Sequence, residues 1–319
     1  MDSAEHELIL PPVNQDNICL PLSINTVSKY WNVDIPLSEA LNIAKKYPNM
    51  RGSILAEGIV LATKHGLSSC IINSSMSELK QFIDSGIPPI VILPGIDNVV
   101  QHASVLSGYN SLDNTITHHI PSSESTDKFY VGVIPESQFS NLWNEDGQIC
   151  ILIAPSEILD TITKKKSNDK SNQLCFLSEK KNLLGENDES ISLLKEALVI
   201  NPKNITAMSL YAALLNEKNS FECIEFYEKS ISLNNRYYLG YRGLGNYYLK
   251  AGQYDTSEKY YTSAIEINPF RFGPIYKNRG LVRYHQSNIS GAKEDFENYL
   301  KYTPSATDRQ NIIKELKNM

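Results

Sequence analysis

No run of eighteen or more apolar residues occurs anywhere in the 319-residue chain. A membrane-spanning helix is therefore not expected. Basic residues are not in excess: 30 Lys and Arg face 36 Asp and Glu, a net charge of −6. That balance argues against nucleic acid as the main partner. The longest like-charge run is only Lys164 to Lys166. Cysteine is sparse, at positions 19, 70, 150, 175 and 223, an odd number with no Cys-x-x-Cys pair. A disulfide framework and a zinc site are both disfavoured. The six histidines are scattered except for His118 and His119. Neighbours on a strand point to opposite faces, so this pair cannot chelate one metal as a unit. No metal or cofactor is expected. The opening Met-Asp-Ser-Ala-Glu-His-Glu lacks the basic and apolar parts of a secretory signal, and a cytoplasmic location is the expectation.

Against these absences one stretch stands out, Gln15 to Trp31. Leu20, Ile24, Val27 and Trp31 fall at spacings of four, three and four, one face of a helix. Pro21 is tolerated in a first turn, where its missing N–H would have had no helical partner. Cys19 is thereby placed at or just before a helix N-terminus. Unpaired amides and the helix dipole favour an anion there, and a thiolate is one. A small buried cysteine opening a core helix is the alternative reading of this stretch taken by itself.

Further helices are expected over Leu37–Lys46, from Gly52-Ser53 to His65-Gly66, and over Met76–Asp84 behind a Ser75 cap. His65 is read as a partner for its helix C-terminus. The period then changes. Pro89–Leu93, His102–Tyr109, Asn114–His118, Tyr130–Ile134 and Ile149–Ala154 read as strands, with a turn at Ser-Leu-Asp-Asn 111–114. Helices before an antiparallel sheet make an α+β domain. Residues 158–172, rich in Lys, Asp, Ser and Asn, read as an exposed linker.

From residue 173 the chain is helical and repetitive. Asn201-Pro202, Asn234-Asn235, Asn268-Pro269 and Thr303-Pro304 close four segments whose ends lie 33, 34 and 35 residues apart. A period near 34 with paired helices resembles the tetratricopeptide repeat over 173–304, with a capping helix in 305–319. Cys223, at a small-residue position of the second repeat, is read as helix packing. Thirteen of eighteen tyrosines lie from 227 onward. Tyr237, Tyr238 and Tyr241 either pack or line a groove that holds an extended peptide.

A thiolate nucleophile needs a histidine to take its proton, and His102, opening its strand after a loop, is the best placed. Gln-Asp-Asn-Ile-Cys-Leu-Pro-Leu-Ser resembles the nucleophile helix of the C39-like cysteine peptidases. His102 through Gly108-Tyr109 resembles their histidine strand, and Phe139–Trp143 with Gly147 their domain end. The resemblance covers about residues 10–157 and implies a papain-like α+β domain over 1–157. By that resemblance Cys19 is the nucleophile, His102 the base, and Gln15, with the Cys19 amide, an oxyanion donor. Three positions depart from the family pattern. Leu20 replaces a glycine and would crowd substrate, Gln15 is one or two residues too close to the cysteine, and Ile120 stands where an orienting aspartate belongs. Asp113, on the turn, is not expected to reach the histidine. The expected function is a cysteine peptidase acting on a peptide or protein, its repeats binding substrate or a protein partner. The alternative is a catalytically impaired scaffold that works through its repeats.

Overall fold

The computed structural model describes residues 5–8, 19–46, 55–94, 101–120, 130–163, 168–271, 273–304 and 306–319. The chain divides into two compact units, one of residues 1–93 and 102–207, the other of 94–101 and 208–319.

In the first unit the helices are α1 (Cys19–Tyr30), α2 (Leu37–Lys45), α3 (Leu55–Lys64), α4 (Met76–Asp84), α5 (Glu136–Glu145), α6 (Ser156–Thr163), α7 (Asn168–Leu183) and α8 (Asn187–Ile200). The strands are β1 (Glu5–Glu7), β2 (Ser68–Asn73), β3 (Ile90–Pro94), β4 (Gln101–Asn110), β5 (Thr115–Ile120), β6 (Tyr130–Pro135) and β7 (Ile149–Ala154). They form one sheet in the order β2-β7-β3-β4-β5-β6, with β1 added beside β4. The pairs β1/β4, β2/β7, β3/β7, β4/β5 and β5/β6 are antiparallel.

Both faces of this sheet are covered. Every residue of β7 is buried, yet the strand still alternates. Ile149, Ile151 and Ile153 join a core with α1, α2 and α3, while Cys150, Leu152 and Ala154 join a second core with α4 and α5. Burial on two sides is why β7 reads as an unbroken apolar run. The α1 stripe behaves as its spacing requires: Ile24 and Val27 are buried, and Trp31 donates its indole N–H to the Ile153 carbonyl at 2.8 Å. Gly58 lets α3 close on α1, since a Cβ there would lie 2.3 Å from Ile24 Cδ1. Ser75 and Glu78 form a reciprocal capping box on α4. Gly66 takes the left-handed conformation after α3, at φ 82°.

Residues 158–172 do not form the exposed linker expected of them. Outside 164–167, which lie beyond the described residues, they belong to α6 and α7. Their polar side chains meet the free edge of β2: Asp169 Oδ1 accepts the Ile71 N–H at 2.7 Å, and Asn172 Nδ2 donates to the Ile71 carbonyl at 3.1 Å. Composition alone cannot distinguish solvated polar residues from polar residues that satisfy a sheet edge.

The remaining helices are α9 (Ile205–Glu217), α10 (Cys223–Leu233), α11 (Tyr238–Lys250), α12 (Tyr254–Ile267), α13 (Pro274–His285), α14 (Ile289–Tyr302) and α15 (Arg309–Asn318). In the second unit α10 to α14 pack in succession as a helical repeat array. Gly245 permits the close approach of α11 and α12, because a Cβ there would lie 2.6 Å from the Tyr261 ring. Tyr237 and Tyr238 are buried at 2% and 0% exposure, so they pack rather than line a groove; Tyr241 donates to the Asn235 carbonyl. Cys223 is fully buried at the start of α10. Among the described residues no helix is long and apolar enough to cross a membrane.

Candidate active site

Four of the five cysteines are buried; Cys19 alone is partly exposed, and it is the first residue of α1. Its sulfur accepts the backbone N–H of Ala103 at 3.3 Å. The helix carrying the candidate nucleophile is thus joined to β4 at the peptide that links His102 to Ala103. The arrangement follows from local structure. α1 begins at Cys19 with no acidic residue in its first turn to compete for the amides. Ala103 and Val105, on the α1 side of β4, belong to the same core as Leu20 and Ile24.

His102 lies on the other side of that alternation, with Ser104 and Leu106. Its Nε2 is buried and meets no hydrogen-bond partner among the described residues. The sulfur is therefore held by the strand backbone and not by the imidazole. His118 pairs across the sheet with Leu106 and so shares the His102 face, whereas His119 pairs with Val105. His118 Nδ1 lies 3.1 Å from Ser104 Oγ, and that hydroxyl donates to the His119 carbonyl at 2.9 Å. With its one proton committed there, Ser104 accepts from His118 Nδ1–H. The His118 ring covers Gly132, where a Cβ would lie 2.6 Å from Nε2.

Burial dominates the electrostatics. It pushes the Cys19 thiol above its usual range, while the amides of Ala103, Leu20 and Cys19 itself pull the other way. Burial first, and the neighbouring His118 second, hold His102 down at about 4. His119 is also held at about 4, for the same two reasons, and His118 is lowered by burial. At neutral pH the pair is a thiol and a neutral imidazole.

The other expected positions separate cleanly. Leu20 is buried against α3 at 6% exposure, beside Gly58. Its side chain fills the core and does not crowd a cleft, contrary to expectation. Gln15 lies outside the described residues. Ile120 ends β5 opposite Tyr130, and its side chain is likewise outside them. Asp113 is exposed on the hairpin turn. His65 meets Glu39 at 3.2 Å. Among the described residues no group of three His, Cys, Asp or Glu could hold a metal ion. Sequence reading did not find the Ala103 amide, and no residue type could have signalled it, since every non-proline residue carries that donor.

No curated protein matches the chain in sequence. Among solved structures it is similar to pilF of Pseudomonas aeruginosa, at 18% identity and a TM-score of 0.43, over 48% of this chain and 71% of that one. A double glycine motif protease from an AMS/PCAT transporter, in complex with its leader peptide, is 19% identical with a TM-score of 0.37, over 47% and 94%. A MamA protein is 22% identical with a TM-score of 0.38, over 46% and 79%. Residues 7–151 match the model of the Peptidase_C39 like family, and residues 238–270 that of the tetratricopeptide repeat. The chain thus carries a Peptidase_C39-like region followed by a tetratricopeptide-repeat region.

Proposed function

We propose that the chain is a cysteine peptidase of the cytoplasm that acts on a peptide or protein, with residues 1–157 as the catalytic domain and 173–304 as four repeats that bind substrate or a protein partner. The observation that supports it is the 3.3 Å bond bringing the sulfur of a helix-opening cysteine onto the His102–Ala103 peptide. Five cysteines without a disulfide suit a reducing compartment. In the reaction Cys19 Sγ passes its proton to His102 and attacks the scissile carbonyl carbon. The tetrahedral oxyanion takes donors from the Cys19 amide and Gln15. His102 returns the proton to the leaving amine as the C–N bond breaks, and water then hydrolyses the thioester. His102 Nε2 meets no partner among the described residues and its side chain faces away from α1, so this step requires the start of β4 to turn and bring the ring to the sulfur.

The full chain, incubated with a defined peptide mixture and read by mass spectrometry, is expected to release fragments. His102→Ala is expected to slow release by about 10²-fold or more, and Cys19→Ala to abolish it. Fragment release unchanged in Cys19→Ala would overturn the proposal. The second reading, a scaffold that binds partners and cleaves nothing, draws on the same sulfur–amide bond and on Ile120 at the position of an orienting carboxylate. It predicts no fragment release by any form of the chain.

A further inference from the structure

We infer that the Ala103 backbone amide is the positioning donor for the Cys19 thiolate, so that the nucleophile is prepared by backbone amides and not by an imidazolium. The inference rests on the reading of Cys19 as the nucleophile and concerns how its charge is held. Cys19 Sγ accepts the Ala103 N–H at 3.3 Å, across 84 residues of chain. The Leu20 amide and the cysteine's own amide act on the sulfur in the same sense. The Ala103 donor therefore meets the sulfur at a helix N-terminus, where the dipole adds to it. The opposing observation about the imidazole is equally direct. His102 Nε2 is buried without a partner among the described residues, and its neighbour of like charge is His118. A protonated His102 would be buried beside a second imidazole, the reverse of a site built to hold a thiolate–imidazolium pair.

Among the described residues, other charges do not supply what the imidazole lacks. On α2, Glu39 is matched by Lys64 and His65; on α3, Glu57 is matched by Lys46 and Lys180. The strand β7, also packed on α1, carries only apolar residues and Cys150. On β4 and β5 the titratable groups are His102, Tyr109, His118 and His119, and the Tyr109 hydroxyl is bonded to Asp84. Among the described residues the amide of Ala103 is thus the donor from outside α1 that meets the sulfur.

Alkylation by iodoacetamide reads the thiolate directly: the sulfur forms a bond to the methylene carbon and iodide leaves. Its rate is followed against pH in the full chain, with peptide mapping at Cys19. Ala103→Pro deletes the N–H, and the midpoint is expected to rise by about one pH unit, the weight of one hydrogen bond to a charged acceptor. Ala103→Ser keeps the N–H and is expected to keep the midpoint. His102→Ala, which would raise the midpoint of an ion pair, is expected to leave it where it is. A midpoint that moves with His102→Ala and not with Ala103→Pro overturns the inference. Should Ala103→Pro fail to fold, the amide proton shift of Ala103 is followed by NMR in the unsubstituted chain. A shift that titrates with the Cys19 thiol supports the inference, and one that stays constant through the thiol titration overturns it. None of these readouts needs peptide hydrolysis. A chain that cleaves nothing but shows the Ala103 effect overturns only the peptidase reading, and a cleaving chain without the effect overturns only this inference.

Discussion

Three histidines, His102, His118 and His119, are kept neutral inside the first unit by burial, and they make its stability depend on acidity. An unfolded histidine titrates near 6.5, whereas His102 and His119 in the fold titrate at about 4. Between those values the unfolded chain binds more protons than the folded one, so stability rises with pH in that window and falls on acidification. For His102 and His119 the expected loss from pH 7 to pH 4.5 is on the order of 2 kcal/mol each, after discounting for partial exposure of the rings. Both tryptophans, Trp31 and Trp143, lie in the first unit, so denaturant unfolding followed by their fluorescence reads that unit alone. His118→Gln removes one titrating ring and the like-charge neighbour of the other two. Its stability is expected to fall less steeply with acid than that of the unsubstituted chain. Equal slopes in the two proteins would show that the three rings do not govern the acid response.

Among the helices of the second unit, a buried charge network does what apolar packing does elsewhere. Asp295 on α14 is fully buried and takes two bonds from Arg279 on α13, at 2.9 and 2.7 Å, with Arg283 at 3.1 Å. Arg279 also reaches Thr262, and Arg283 reaches Glu258, both on α12. Burial wins over the arginines and sets the Asp295 carboxyl above its usual range, as expected when desolvation of a pair rivals its attraction. Asp295→Asn leaves the buried Arg279 charge without its carboxylate, while Arg283 keeps Glu258, and is expected to cost about 3 kcal/mol, lowering the thermal midpoint of helical circular dichroism. An unchanged midpoint would mean that water already screens the pair. This network was not legible in the sequence, because Arg279 and Asp295 sit sixteen residues apart in a period set by small residues. The elements that were legible are those with a local signature. Ser75 spells a helix cap, Leu20 to Trp31 a helical stripe, and Ser111 to Asn114 a turn, whose Leu112 and Asp113 amides bond Asn110 Oδ1. β2 was missed because its apolar run is only Cys70-Ile71-Ile72 between Ser69 and Asn73, and α5 because Phe139 and Trp143 mark one face too briefly. Cys19 and His102 were legible as residue types, a cysteine ahead of a helical stripe and a histidine opening a strand. That the sulfur meets the Ala103 amide was not, since strand alternation decides it in three dimensions.

At the scale of the whole chain, the helix pair α7 and α8 falls in the same compact unit as the sheet, although its sequence reads as the first of the repeats. The contacts are specific. Asp169 and Asn172 close the β2 edge at Ile71, and Lys180 pairs with the buried Glu57 of α3 at 2.8 Å. Ser171 and Asn172 in turn receive Asn204 Nδ2 at 2.7 and 2.8 Å. Phe176 packs on the core shared by α1 and the sheet. A sheet edge left open exposes unpaired amides and carbonyls to other chains, and Lys180 with Lys46 matches the charge of the buried Glu57. Asp169→Ala with Asn172→Ala in the full chain is therefore expected to destabilise the first unit by about 1–3 kcal/mol. The fragment 1–163, which lacks α7 and α8 altogether, is expected to unfold at lower denaturant than the fragment 1–204 and to aggregate through β2. Tryptophan fluorescence in urea gives the midpoints, and light scattering gives the association. If fragment 1–163 unfolded at the same urea concentration as fragment 1–204, the α7–α8 pair would be a repeat that merely follows the first domain. A lower midpoint makes it part of that domain's fold, because β2 has no other described neighbour on its outer side to take the Ile71 amide and carbonyl.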